Sequence, residues 1–509
     1  MAYQVERAFI LLTLAAVSYA AKPEQVKIGG GRLLGAYDSA GKVYAFKGIP
    51  YAAPPVGNLR WQAPQSEAKW KGVKDAKEFG SRCVQAKIFD DMIFRDPGPS
   101  ENCLTVNVWT SNPSAKTKMP VMFWIHGGGF FAGGSSEPRQ DGENLAKRGV
   151  VVVSLNYRLG IFGFFAHPEL TAESSHHASG NYGLEDMAAA LEWVKKNISA
   201  FGGDPAKVTI FGESAGSWAV SELMASPMSK DLFARAIGES GGAFSATSLS
   251  MSTLAEAEKK DAEYAASIGA PTLAALRAMS ADDLLKATMK PGRTGFSPVM
   301  DGYFFPQDVP AIYAAGKQAH VPLLAGWNLN EGGTAPQSKA TVESFTADAQ
   351  KNFGARAAEF LKLYPAGTLE ETKQSAADLA RDQFIAFATW KWIEAQVATG
   401  EAPVYRYLFT HVLPPPADVR GAYHSADIEF VFDDLANKDL KWRDEDTQLS
   451  KLMASYWTNF AKTGDPNGEG LPKWPVFRAG DEHQVMKLDT PAGAFSEDHR
   501  ARYEFLGSK

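Results

Sequence analysis

The chain has 509 residues, 45% of them hydrophobic and 22% charged, with a formal net charge of −6, nine histidines and only two cysteines. Mild acidity without a basic cluster argues against a nucleic-acid partner or an anionic membrane surface. No Cys/His group has metal-ligand spacing and no dinucleotide fingerprint is present, so the chemistry is expected to need no metal and no cofactor.

In chain order, Arg7 precedes an apolar stretch from Ala8 to Val17, and Ser18-Tyr19-Ala20 has a small-x-small cleavage pattern. Residues 1–21 read as a signal peptide cut near Ala20-Ala21, sending the protein to a periplasm or outside the cell. A buried N-terminal helix is the alternative, because the charged segment before the apolar run holds a single Arg beside Glu6. The run is too short to cross a membrane. From 22 to 509 no linker, repeat or low-complexity break divides the sequence, which predicts one domain. Val26 to Ile49, glycine-rich with alternating apolar residues, predicts an antiparallel hairpin.

Pro120 to Ile125 is an apolar strand that ends in His126-Gly127-Gly128-Gly129-Phe130. Successive glycines at a strand end suit a loop whose bare amides must approach a reacting oxygen closely. No lysine accompanies them as a phosphate loop would require, and His126 reads as an anchor for the loop rather than a base. Further strands around Val151, Val208 and Val321, with helices such as Leu184 to Ala200, predict an α/β fold with a mostly parallel sheet covered on both faces. The strand Val208-Thr209-Ile210-Phe211 runs into Gly212-Glu213-Ser214-Ala215-Gly216, and a helix from Ala215 to Ala225 comes next. A serine on a tight strand-to-helix turn is exposed for attack, and the helix N-terminus favours developing negative charge. Gly238-Glu239-Ser240-Gly241-Gly242 matches the same pattern after a possible strand from Ala234 to Ile237, but Gly241 to Ser245 reads as loop. Ser214 is the expected nucleophile, Ser240 a buried polar neighbour, and Gly128, Gly129 and Ala215 the expected oxyanion hole.

A serine nucleophile needs a base and an orienting acid. Glu331 comes after the buried strand Val321 to Trp327 and precedes two glycines, whereas Asp301 lies in a turn and Asp427 is too near the histidine in sequence. Among the downstream histidines, His424 sits in a small-residue loop after the strand Val404 to Phe409. His411, beside a proline run, reads as a surface residue, and His483 and His499 read as solvated. The order Ser214, Glu331, His424 is the best available triad. Helical stretches from Thr341 to Thr399 read as an insertion between acid and histidine, and Trp218 reads equally as core or pocket wall.

Together with Phe46-Lys47-Gly48-Ile49-Pro50-Tyr51-Ala52, Glu101-Asn102-Cys103-Leu104, Asn156-Tyr157-Arg158-Leu159-Gly160 and Gly180-Asn181-Tyr182-Gly183-Leu184-Glu185-Asp186, these motifs resemble type-B carboxylesterases. That group includes cholinesterases, bile-salt-stimulated lipases and bacterial para-nitrobenzyl esterases. The resemblance implies an α/β-hydrolase fold, a helical insertion that walls a gorge, and cleavage of small-molecule esters through Ser214, Glu331 and His424. It also implies scaffold ion pairs Arg60–Glu101 and Arg158–Asp186, support of the catalytic histidine by Ser240, and a Cys83–Cys103 disulfide. The low cysteine count suggests a bacterial exported member. The chain departs from cholinesterases in lacking a tryptophan between Cys83 and Cys103, where Phe89, Met92 and Phe94 stand instead. Gly292 and Thr294 take the places of the bulky acyl-pocket aromatics, which predicts a pocket wider than acetyl. Two rival readings remain: a hydrolase of amides, carbamates or lactones, and a non-catalytic binding protein on the same fold.

Overall fold

The apolar runs pair in register into one eleven-stranded sheet. In chain order its strands are β1 (Ala36–Asp38), β2 (Val43–Pro50), β3 (Thr105–Thr110), β4 (Met119–Ile125), β5 (Val151–Leu155), β6 (Gly203–Glu213), β7 (Arg235–Glu239), β8 (Leu323–Asn328), β9 (Val404–Phe409), β10 (Gln484–Leu488) and β11 (Gly493–Ser496). The computed structural model describes residues 24–114, 116–244, 251–290, 295–478 and 484–508. Across the sheet the order is β11-β10-β9-β8-β7-β6-β4-β5-β3-β2-β1. The stretch from β10 to β5 is parallel, and both margins are antiparallel.

Side-chain alternation divides the interior into two cores. Val121, Phe123 and Ile125 of β4 join Val151, Val153, Val208 and Ile210 on one face, while Met122, Trp124, Val152, Phe211 and Leu324 line the other. The first face is covered by α1 (Tyr182–Asn197) and α2 (Ala215–Ala225), which bury Leu184, Leu191, Val220 and Leu223 there. Between β8 and β9 run α3 (Val342–Phe353), α4 (Ala357–Leu363) and α5 (Leu369–Arg381), then a π-helical turn (Asp382–Ala386) and α6 (Phe387–Thr399). The predicted insertion is largely helical over this stretch, and its outer part packs a satellite core with Phe505 of α8 (Arg500–Gly507). The second face is covered by α7 (Asp444–Thr463), which sits between those two elements in chain order and contributes Leu449, Met453, Trp457 and Phe460. Parallel strands buried on both faces explain why these segments read as continuous apolar runs rather than alternating ones.

The N-terminal segment is two hairpins, not one. Gln25–Lys27 and Arg32–Leu34 pair in a small separate sheet with Val73–Asp75, whereas β1 and β2 pair at the margin of the large sheet. Cys83 and Cys103 form a disulfide. Arg60 grips Glu101 through Nε and Nη2 at 2.6 and 2.7 Å, and Arg158 grips Asp186 in the same two-point manner at 2.8 and 2.7 Å. Among the described residues no helix is long and apolar enough to cross a membrane. The proposed signal peptide, Gly292, Thr294 and His483 lie outside the described residues.

Candidate active site

Every parallel strand of the middle of the sheet delivers its next residues to one edge, where crevices at strand carboxyl ends favour ligand sites. β6 hands over to Ser214, whose φ of 56° and ψ of −123° put a non-glycine residue at positive φ. Such a conformation costs roughly 1–3 kcal/mol and persists only where the surroundings fix it. Here the Ser214 N–H donates to the Glu239 carbonyl at 2.9 Å, and the Trp218 N–H closes the first helical turn onto the Ser214 carbonyl at 3.0 Å. The flanking glycines are steric necessities. A methyl group at Gly216 would lie 2.0 Å from the Ile125 carbonyl oxygen, and one at Gly212 2.6 Å from the same atom.

The Ser214 hydroxyl lies 2.9 Å from His424 Nε2, and His424 Nδ1 lies 2.6 Å from Glu331 Oε2. The other Glu331 oxygen accepts the Ser240 hydroxyl at 2.6 Å and the Asn328 N–H at 2.8 Å. Ser240 therefore bonds Glu331 directly and reaches His424 only through it. After β4 the chain passes Gly128 and Gly129 with φ of 104° and 66°. Among the described residues, neither amide donates to a protein acceptor, and nor does that of Ala215 at the start of α2. A methyl at Gly128 would come within 2.2 Å of the Ala132 carbonyl oxygen, so the loop closes only with glycine there.

A serine–imidazole–carboxylate chain beside free amides is an acyl-transfer arrangement. The model of the Carboxylesterase family matches residues 22–506. The chain belongs to the carboxylesterase family. It is 36% identical to "Fumonisin B1 esterase" of Sphingopyxis macrogoltabida over 515 residues, covering 95% of this chain and 90% of that one. Against "Para-nitrobenzyl esterase" of Bacillus subtilis the identity is 37%, over 88% of this chain and 91% of the relative. Against human "Cocaine esterase" it is 34%, over 91% and 86%. The sheet with its flanking helices is the α/β-hydrolase fold of that family, and the protein is a carboxylic-ester hydrolase.

Within this carboxylesterase the other sequence candidates fall into place. His126 is buried, bonds Gly127 through Nδ1 at 2.9 Å and stacks on Tyr157 with ring centroids 4.4 Å apart. Burial drives its imidazole down to about 4, so it is a neutral anchor for the glycine loop. Asp301 accepts the amides of Tyr303 and Phe305, which makes it a turn residue. Asp427 is buried against Asn328 and Tyr407, away from the imidazole hydrogen bonds. Trp218 is buried in the core on α2. His411 corrects the surface reading: it is buried, with Nε2 2.6 Å from Asp446 and Nδ1 3.2 Å from Asp489. His499 is half-buried and lies 3.3 Å from Glu497.

Two neighbours of the imidazole escaped sequence reasoning. Glu213, the variable residue of the Gly-x-Ser-x-Gly turn, brings Oε1 to 3.3 Å from His424 Nε2, close enough for charge but not aligned as a hydrogen bond. Burial pushes its carboxyl up to about 8, against the pull of His424. Phe384, on the π-helical turn, sets its ring edge-on to His424 at a centroid distance of 5.2 Å. The motif itself pointed to Glu213; nothing local pointed to Phe384.

Proposed function

We propose that this carboxylesterase cleaves its ester through Ser214 as nucleophile, His424 as general base and acid, and Glu331 as the group that orients the imidazole. What supports this reading is the unbroken chain from the Ser214 hydroxyl through both His424 nitrogens to Glu331, at 2.9 and 2.6 Å. His424 Nε2 takes the serine proton as the oxygen attacks the ester carbonyl. The oxygen of the tetrahedral adduct receives the amides of Gly128, Gly129 and Ala215. On collapse, the proton passes from His424 to the departing alcohol, and a water activated by the same imidazole releases the acid.

The test is p-nitrophenyl butyrate hydrolysis by purified protein with Ser214→Ala and Ser240→Ala alongside. Loss of the nucleophile should lower turnover on the order of a million-fold, while loss of the brace should only weaken it. Activity that survives Ser214→Ala, or that disappears equally in Ser240→Ala, overturns the assignment. We further propose that residues 22–509 act as one domain, exported after removal of residues 1–21. The Cys83–Cys103 disulfide is compatible with an oxidising compartment. Two free thiols in protein isolated from its native compartment would defeat export.

A further inference from the structure

On the far side of Phe131 from the glycine loop lies a cavity of about 120 Å³. Its wall is assembled from distant stretches, with Ala86 and Ile88 from the disulfide-closed loop, Phe162 from the segment after β5, and Thr288 and Met289 from beyond α2. Among the described residues of that wall only Thr288 has a polar side chain, and none is charged. The space is several times what a single water requires. Its side-chain surface is apolar apart from that one hydroxyl, so the cavity suits an apolar occupant. Its rim is apolar too: Ile88 is 44% and Met289 58% exposed.

Phe131 joins this space to the reacting centre. A methyl group at Gly129 would lie 3.3 Å from the Phe131 ring, one at Gly295 3.4 Å and one at Gly160 3.9 Å. The ring is therefore flanked by three residues without side chains, with an expected oxyanion donor on one side and the cavity on the other. We propose that the cavity takes the distal end of an aliphatic chain carried by the ester, and that Phe131 is the partition this chain passes. The inference deepens the reading of Ser214 and Gly129 as the reacting centre and rests on it. It does not depend on the width expected from Gly292 and Thr294.

The experiment compares kcat/KM along two series: p-nitrophenyl esters from acetate to dodecanoate, and acetate esters of alcohols from butanol to dodecanol. In one series kcat/KM should climb about four-fold for each methylene that enters the cavity, and the series that climbs identifies the acyl or the alcohol side as the source of the chain. Ala86→Trp and Thr288→Phe fill the space from two different elements. Each should cut the ratio of long-chain to acetate kcat/KM by tenfold or more while leaving acetate hydrolysis in place, which also shows that the variant folds. Flat series in the wild type, or ratios unchanged in both variants, overturn the proposal. If the wild type hydrolyses none of these esters, the Ser214 reading fails separately. Calorimetric titration with decanoate then decides the cavity: binding lost in Ala86→Trp supports it, and no binding overturns it.

Discussion

Replacing Glu213 with glutamine removes a charge beside the imidazole while keeping the shape of the site. Burial alone would disfavour a charged His424, but Glu213, then Glu331 and Asp427, outweigh it and push the group up to about 9. Since burial raises Glu213 itself to about 8, the two groups titrate as a coupled pair whose protons leave above neutrality. In the proposed mechanism His424 acts only when its imidazole is neutral, so kcat/KM should climb with pH along an acid limb that the pair sets. At their 3.3 Å separation and an effective dielectric constant near 20, the attraction between carboxylate and imidazolium is about 5 kcal/mol. That corresponds to a ceiling of about three to four pH units. Sharing of the proton with Glu213 keeps the change below this ceiling, and Glu213→Gln should lower the limb by about one to two units. The sign is set by the charge: without the carboxylate the imidazolium loses support, its pKa falls, and activity at pH 6 rises relative to pH 9. The assay is kcat/KM for a short-chain ester from pH 5 to 10 in both proteins. A limb that stays in place, or moves to higher pH, refutes the pairing.

Glu331→Gln should lower kcat about 10⁴-fold, as when the acid of a serine triad loses its charge. Ser240→Ala should cost only about tenfold, because the Asn328 N–H and His424 still hold the carboxylate; equal losses in stopped-flow kinetics would contradict this division of labour. Away from the site, Arg406 and Glu497 form a buried pair at 2.5 Å. Burial pushes the Glu497 carboxyl up, but Arg406 and His499 prevail and hold it at about 2. Its stabilisation is thus present above the ordinary carboxylate value and lost as pH falls through about 2. Glu497→Gln strands the guanidinium and should cost about 3–5 kcal/mol at pH 7, while flattening the loss of stability below pH 4. Urea midpoints equal to wild type at pH 7 would sink that expectation.

How much of the molecule was legible in the sequence depends on how locally each feature is encoded. Val404 to Phe409 and Ala215 to Ala225 fall on their predicted spans because an apolar run with a defined stop, or a helix entered from a Gly-x-Ser-x-Gly turn, is written in adjacent residues. Ser214 and Ser240 share the same rare backbone, with φ of 56° and 54°, so the turn alone does not separate them; the helix after one and the loop after the other does. His411 misleads for the opposite reason. Its neighbours are a threonine and a proline run, but its partners Asp446 and Asp489 are 35 and 78 residues away. No local pattern announces a partner brought by α7 and by the end of β10. Phe384 reaches His424 through a π-helical turn, a one-residue irregularity that apolar periodicity does not register. The N-terminal segment shows both strand signals and turn glycines, but not that its two hairpins would join different sheets.

The distances within the site are set less by contacts between the reacting side chains than by the sheet beneath them. β6 and β7 run parallel with Glu213 opposite Glu239, and β7 and β8 with Glu239 opposite Gly326. The ladder then continues one residue beyond each strand: the Ser214 N–H donates to Glu239, and the Ser240 N–H to Gly326, each at 2.9 Å. Each serine is thereby pinned to the strand next to its own. The same turn, repeated on adjacent strands, aims one hydroxyl at the imidazole and the other at Glu331, which leaves the end of β8 itself. Ser214 and Ser240 are therefore spaced by the roughly 4.8 Å separation of neighbouring strands, whereas Glu331 sits on the turn after β8 and His424 on a loop.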